Sequence, residues 1–209
     1  MPKIRLMLAA WVAVLACGAV VSASASATTP SWMVNGKNLT TTKALATSAV
    51  VDESAVLEAS GVTVTCTGLN GVAPTLEPGN MASATKLEFT GCTASSPCSI
   101  SKNTISTVPL LAEATLEGSL AVVATFKPQT GTLFTTIEFL GSQCALEGNQ
   151  PVTGKAKVLA PTGQDERTLQ LINAITVPTS KELFVGSAGA KLSGSALLKL
   201  QSSEPWSFL

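Results

Sequence analysis

Apolar and polar residues alternate with a period of two along much of the chain. Val62-Thr-Val-Thr-Cys66 puts Val62, Val64 and Cys66 on one face, and Lys86-Leu-Glu-Phe-Thr90 sets Leu87 and Phe89 against Lys86, Glu88 and Thr90. That period marks a half-buried strand, because successive side chains of a strand point to opposite faces. Leu120, Val122, Ala124 and Phe126 repeat it, as do Leu133, Ile137 and Phe139 with Thr135 between them. Val152–Val158, Thr168–Val177 and Ala190–Leu200 read the same way. Two Ala-containing stretches, Lys43–Leu57 and Leu110–Leu120, have the length of short helices, but their β-branched and Thr content favours strand for most of each.

Turn formers separate these segments: Asn35-Gly36, Glu77–Asn80, Lys127–Gly131, Glu147–Asn149, Pro161–Gly163 and Gly186–Gly189. Gly and Asn reach positive φ cheaply and Pro cannot donate to a ladder, so each cluster marks a reversal. Asn35-Gly36, between Trp32-Met-Val34 and Lys37-Asn-Leu39, is the strongest hairpin signal. The pattern predicts an all-β fold: an antiparallel β-sandwich or partly open barrel of about 9–12 short strands.

The N-terminus has a different pattern. A short basic start with Lys3 and Arg5 is followed by an apolar run, Leu6–Val21, and then by small residues, Ser22–Ala27. This is the order of a secretory signal peptide. The run of 16 residues would span roughly 24 Å as a helix, short of a bilayer core of ~30 Å. Residues 1–27 are therefore expected to be a signal peptide cleaved after Ala27, with Thr28 first in a single β-rich domain, 28–209. Val14-Leu15-Ala16-Cys17 also has the look of a bacterial lipobox, so a membrane-attached lipoprotein acylated at Cys17 stands as an alternative. No later run is long enough for a membrane span.

Four cysteines follow, Cys66, Cys92, Cys98 and Cys144, and an even number in an exported chain points to disulfides. The turn formers between Cys92 and Cys98 can bring those two within range, which favours Cys92–Cys98 and hence Cys66–Cys144. Cys66–Cys92 with Cys98–Cys144 remains open, because spacing alone does not fix connectivity. A zinc site of four thiolates is disfavoured, since only one pair of cysteines lies close in sequence.

Several features match a group of uncharacterised exported proteins of high-GC soil bacteria, which the chain resembles over roughly residues 62–160. They are Val62-Thr-Val-Thr-Cys66, Leu87-Glu-Phe-Thr-Gly-Cys92 with Cys98 close behind, Ile105-Ser-Thr-Val-Pro-Leu110, and Cys144 ahead of Pro151-Val-Thr-Gly154. The resemblance implies secretion and a β-rich fold, and carries no activity or functional residue.

Composition narrows the chemistry. Lys plus Arg and Asp plus Glu are equal at 13 each, and beyond Arg5 the single arginine is Arg167. A surface that neutralises phosphates is therefore not expected, and no nucleic-acid partner is. The absence of His removes His-based triads and His metal ligands. Asp52 and Asp165 are the sole aspartates, too few for a calcium loop. No metal or cofactor is expected.

Ser99-Ile-Ser-Lys102 has the Ser-x-x-Lys spacing of some acyl enzymes, but it sits in a loop entering a strand rather than at a helix start. Glu113 with Glu117, or Asp165 with Glu166, could in principle form the carboxylate pair of a glycoside hydrolase. Trp206 and Phe208, near the C-terminus, are candidate binding aromatics; Trp206 could instead tuck onto the sheet near Trp32, which is the preferred reading. The expectation is a secreted, non-catalytic extracellular or cell-surface module that binds or has a structural role, with envelope polymers or other surface proteins as partners. A small carboxylate-dependent hydrolase is the alternative.

Overall fold

The computed structural model describes residues 30–117, 121–160, 167–176 and 182–208. The expected signal segment with Cys17 and Thr28, and the Asp165-Glu166 pair, lie outside them. The described residues form no helix and 22 strands, of which 11 are five residues or longer. Every ladder among them is antiparallel. The all-β expectation holds, and Lys43–Leu57 and Leu110–Glu117 are extended where they are regular. Asn35-Gly36 makes the predicted hairpin: Val34 pairs with Lys37, and both turn residues have positive φ, 52° and 71°. That geometry suits the twist of the flanking strands.

One wide sheet has eleven strands. From one edge to the other they are Thr93–Ala94, Val62–Cys66, Val50–Ala59, Lys191–Lys199, Leu169–Thr176, Ala156–Ala160, Ala121–Pro128, Leu110–Glu117, Met81–Ala84, Thr75–Leu76 and Lys43–Ala44. Smaller sheets supply the facing layer. Five strands are built around Leu133–Leu140 and Gly148–Gly154, three around Lys86–Thr90, and three more join Trp32–Val34 to Trp206–Phe208.

Alternation along the strands fills two cores. The larger gathers Val64, Leu110, Phe134, Ile137, Phe139 and Val185 between the wide and five-stranded sheets. The second gathers Trp32, Leu76, Val122, Leu200, Trp206 and Phe208 under the sheet that joins the two ends of the described chain. The Ala121–Pro128 strand serves both: Val122 and Ala124 lie in the second, and Phe126 packs against each.

The structure corrects the preferred disulfide pairing. Cys66 is bonded to Cys92 and Cys98 to Cys144, not Cys92 to Cys98 and Cys66 to Cys144. Strand register is the reason. Thr93 pairs with Thr65 and Ala94 with Val64, so Cys92 arrives beside Cys66. Ser99 and Ile100 pair with Leu140 and Phe139, which carries Cys98 to the turn holding Cys144. The segment between Cys92 and Cys98 therefore passes from one sheet to the other instead of closing on itself. With all four sulfurs in disulfides, no thiolate is left for zinc.

Two strand readings change as well. The Val152–Val158 run splits at Lys155, with Gly148–Gly154 in the five-stranded sheet and Ala156–Ala160 in the wide one. Gly154 makes the switch at φ 111°, where a Cβ would run into the Glu182 carbonyl. A register shift between Leu133 and Thr135 puts Phe134 inward with Ile137 and Phe139, leaving Leu133 exposed. An extra residue in one strand of a pair reverses which face its neighbours take.

A polar clamp ties the chain's distant parts together. Lys43 Nζ meets Glu204 Oε2 at 2.7 Å, Asn35 Nδ2 donates to Oε1 at 2.9 Å, and Ser202 Oγ donates to Oε2 at 2.6 Å. The Lys43 ammonium, and then the Ser202 hydroxyl, hold the Glu204 carboxyl below its ordinary range. A carboxyl lowered by folding stabilises above its unfolded value and loses that contribution as pH falls through the folded one. Glu204→Gln is thus expected to lower the melting temperature at pH 6 but to approach wild type as pH drops below about 4. Thermal scans of both proteins from pH 7 to 3 check this; a gap that widens in acid contradicts it.

Candidate functional site

A cavity of about 180 Å³ lies between the wide sheet and the smaller sheets. Its floor comes from neighbouring strands of the wide sheet. Val51, Glu53, Ala55 and Leu57 are every second residue of Val50–Ala59, and they all line it. In the cross-strand pairs beside them, Ala174 faces Gly194 and Ile172 faces Ala196. Leu87, Phe89, Phe134 and Leu183 line it from the smaller sheets. Small residues of the wide sheet, Ala55, Ala156, Ala174, Gly194 and Ala196, are among those that line it.

That space is large for a packed interior, where voids beyond one water are few. An engineered apolar void of about 150 Å³ admits benzene. The lining is almost wholly apolar, so nothing there holds water by hydrogen bonding.

The first half of the Val50–Ala59 strand supplies Val51 and the exposed Glu53 to the lining. Residues Ala55–Ala59 pair with Val62–Cys66, and the preceding half has no partner on that side. The other side carries two register shifts against Lys191–Lys199, around Ser193, Ser195 and Ala196. Gly194 sits within them at φ 126°, where a Cβ would come 2.6 Å from the Ser54 carbonyl oxygen. Glycine is therefore required at that point. Buried Ser195, itself a lining residue, donates from Oγ to Asp52 Oδ2 at 3.2 Å. Glu53, next to Asp52, takes the cavity side, is exposed, and is the one ionisable side chain among the lining residues.

The candidates expected from the sequence are not assembled here. Trp206 and Phe208 are 2% and 0% exposed, so they are core side chains and not surface binding aromatics. Trp206 lies 5.9 Å from Trp32 between ring centroids, edge to face, and Phe208 lies 4.8 Å from the same ring. Tucking is the arrangement found. Glu113 and Glu117 share one strand four residues apart, which is ~13 Å along the backbone. Glu88 is paired with Lys86 at 2.7 Å. Ser99 begins a two-residue strand and so lacks the helical turn that would bring Lys102 to it.

Sequence reading missed the cavity, although it left one trace. Along Val51-x-Glu53-x-Ala55-x-Leu57 an acidic residue takes an inward position in an otherwise apolar alternation. Breaks of that kind concentrate at functional sites. Among the described residues no group of three His, Cys, Asp or Glu is placed to hold a metal ion, and no helix is long and apolar enough to cross a membrane. The two disulfides are compatible with an extracellular setting. The chain matches no protein-family model, no curated protein and no solved structure.

Proposed function

We propose that the protein is an exported, non-catalytic β-sandwich module that binds a small apolar molecule in the cavity between its sheets. The observation that carries this reading is the cavity: about 180 Å³ of apolar space reaching solvent beside Glu53. Ligand sites are characteristically concave and mostly apolar, with a small number of polar groups. The volume suits one aromatic ring or a chain of about six carbons. Export is supported by the basic, apolar and small-residue order of residues 1–27, and by disulfides of a kind that persist in oxidising compartments. The mass of the mature N-terminus, starting at Thr28 or at an acylated Cys17, tests the export route.

Binding is tested with benzene and n-hexanol by calorimetry and by ligand-dependent melting. Both are expected to bind with a Kd of about 1 mM or tighter and to raise the melting temperature, as a ligand of the native state must. Ala174→Phe, or Ala196→Leu if the first does not fold, fills the floor and is expected to abolish binding. Absence of binding to wild type, or unchanged binding in the filled variant, overturns the proposal.

A further inference from the structure

We infer that the cavity takes amphiphiles with a cationic head, a primary amine on a short alkyl or aryl body, and that Glu53 receives the ammonium at the mouth. The inference rests on the cavity being a binding site and adds the class of ligand.

Its first support is position. Val51, Glu53, Ala55 and Leu57 line one wall, so Glu53 occupies a register position that its strand otherwise fills with apolar side chains, and its exposed end lies at the edge of that wall. An inward carboxylate beside apolar surface is unfavourable unless solvent or a cation reaches it. Exposure of Glu53 keeps it wet in the empty protein.

A second support is the lack of competition. The ion pairs of the described residues join Lys43 to Glu204, Lys86 to Glu88, Lys157 to Glu182 and Lys191 to Glu58. Glu53 belongs to none of these and makes no side-chain hydrogen bond among the described residues. Asp52, its neighbour, is engaged by Ser195, which donates to it at 3.2 Å. The two carboxylates thus have separate tasks. Asp52 is held beside the irregular ladder around Gly194, and Glu53 is left available among the lining residues.

Third, the charge balance at the site has one sign. No Lys or Arg lines the cavity, and Ser193 and Ser195 at the rim are neutral. A carboxylate head would meet Glu53 without compensation, whereas an ammonium gains a charge-assisted hydrogen bond as its body enters the apolar space.

The test compares n-hexylamine, n-hexanol and hexanoate at pH 7 by calorimetry, on wild type and on Glu53→Gln. Glu53 is exposed, so the variant is expected to keep the wild-type melting temperature. In wild type the amine should bind about fivefold more tightly than the alcohol, and hexanoate more weakly than either. The amine's advantage should shrink with added salt and disappear in Glu53→Gln, while the alcohol's affinity stays the same. Equal binding of the three compounds, or an amine preference that survives Glu53→Gln, overturns the assignment of the head group and leaves the cavity as a site. Failure of all three to bind overturns both.

Discussion

Trp206→Ala is expected to lower the unfolding free energy by about 4 kcal/mol, because it removes one of the two tryptophans of the second core and leaves a hole the sheets cannot close. Trp206 is 2% exposed and contacts the Trp32 ring edge to face. Its backbone also holds the strand that pairs with Trp32–Val34, and its carbonyl accepts a hydrogen bond from the Gln170 side-chain amide. Trp206→Phe should cost much less, under about 1.5 kcal/mol, because most of the apolar contact is kept. It also removes the Trp206 Nε1–H, which is buried without a hydrogen-bond partner among the described residues. Urea unfolding followed at equilibrium measures both. A Trp206→Ala loss near 1 kcal/mol would mean that Trp206 is exposed, and that the terminal strands do not dock.

Removing the Cys98–Cys144 bond with paired Ser substitutions is expected to destabilise by up to about 4 kcal/mol, and removing Cys66–Cys92 by up to about 3.5 kcal/mol. The order follows from the separations closed, 46 and 26 residues. A longer loop gives the unfolded chain more freedom to recover when the link is cut. Both bonds also lie within the larger core, where Cys66, Cys92, Cys98 and Cys144 are buried with Val64, Phe134 and Phe139. Peptide mapping of the unreduced protein should find 66 with 92 and 98 with 144. A peptide linking Cys92 to Cys98 would contradict the register of Thr93–Ala94 on Val62–Cys66. A larger loss for the 66–92 variant would indicate that local packing, not chain freedom, dominates.

Period and turn chemistry made much of the architecture legible. Val62–Cys66 and Lys86–Thr90 are strands with the bounds their alternation predicts, and Asn35-Gly36 turns where its positive-φ residues require. These are local properties: which face a side chain takes and which φ a residue reaches are settled within a few residues. The site was harder to read. Glu53 breaks its strand's pattern, yet a single carboxylate in a strand is ordinarily a solvated outward residue, and alternation gives no information on what lies opposite.

By itself, then, the sequence determined an antiparallel β-fold, the positions of most of its strands, and four cysteines suited to pairing. Tertiary structure alone decided which cysteines meet, where Val152–Val158 breaks between two sheets, and that Leu133 turns outward while Phe134 turns in. It also decided that Trp206 and Phe208 are core, and that Ala174, Gly194 and Ala196 come together in the wall of the cavity. Each of these depends on register between strands far apart in the chain. Register is selected by the summed burial of whole faces, so no local stretch of residues encodes it.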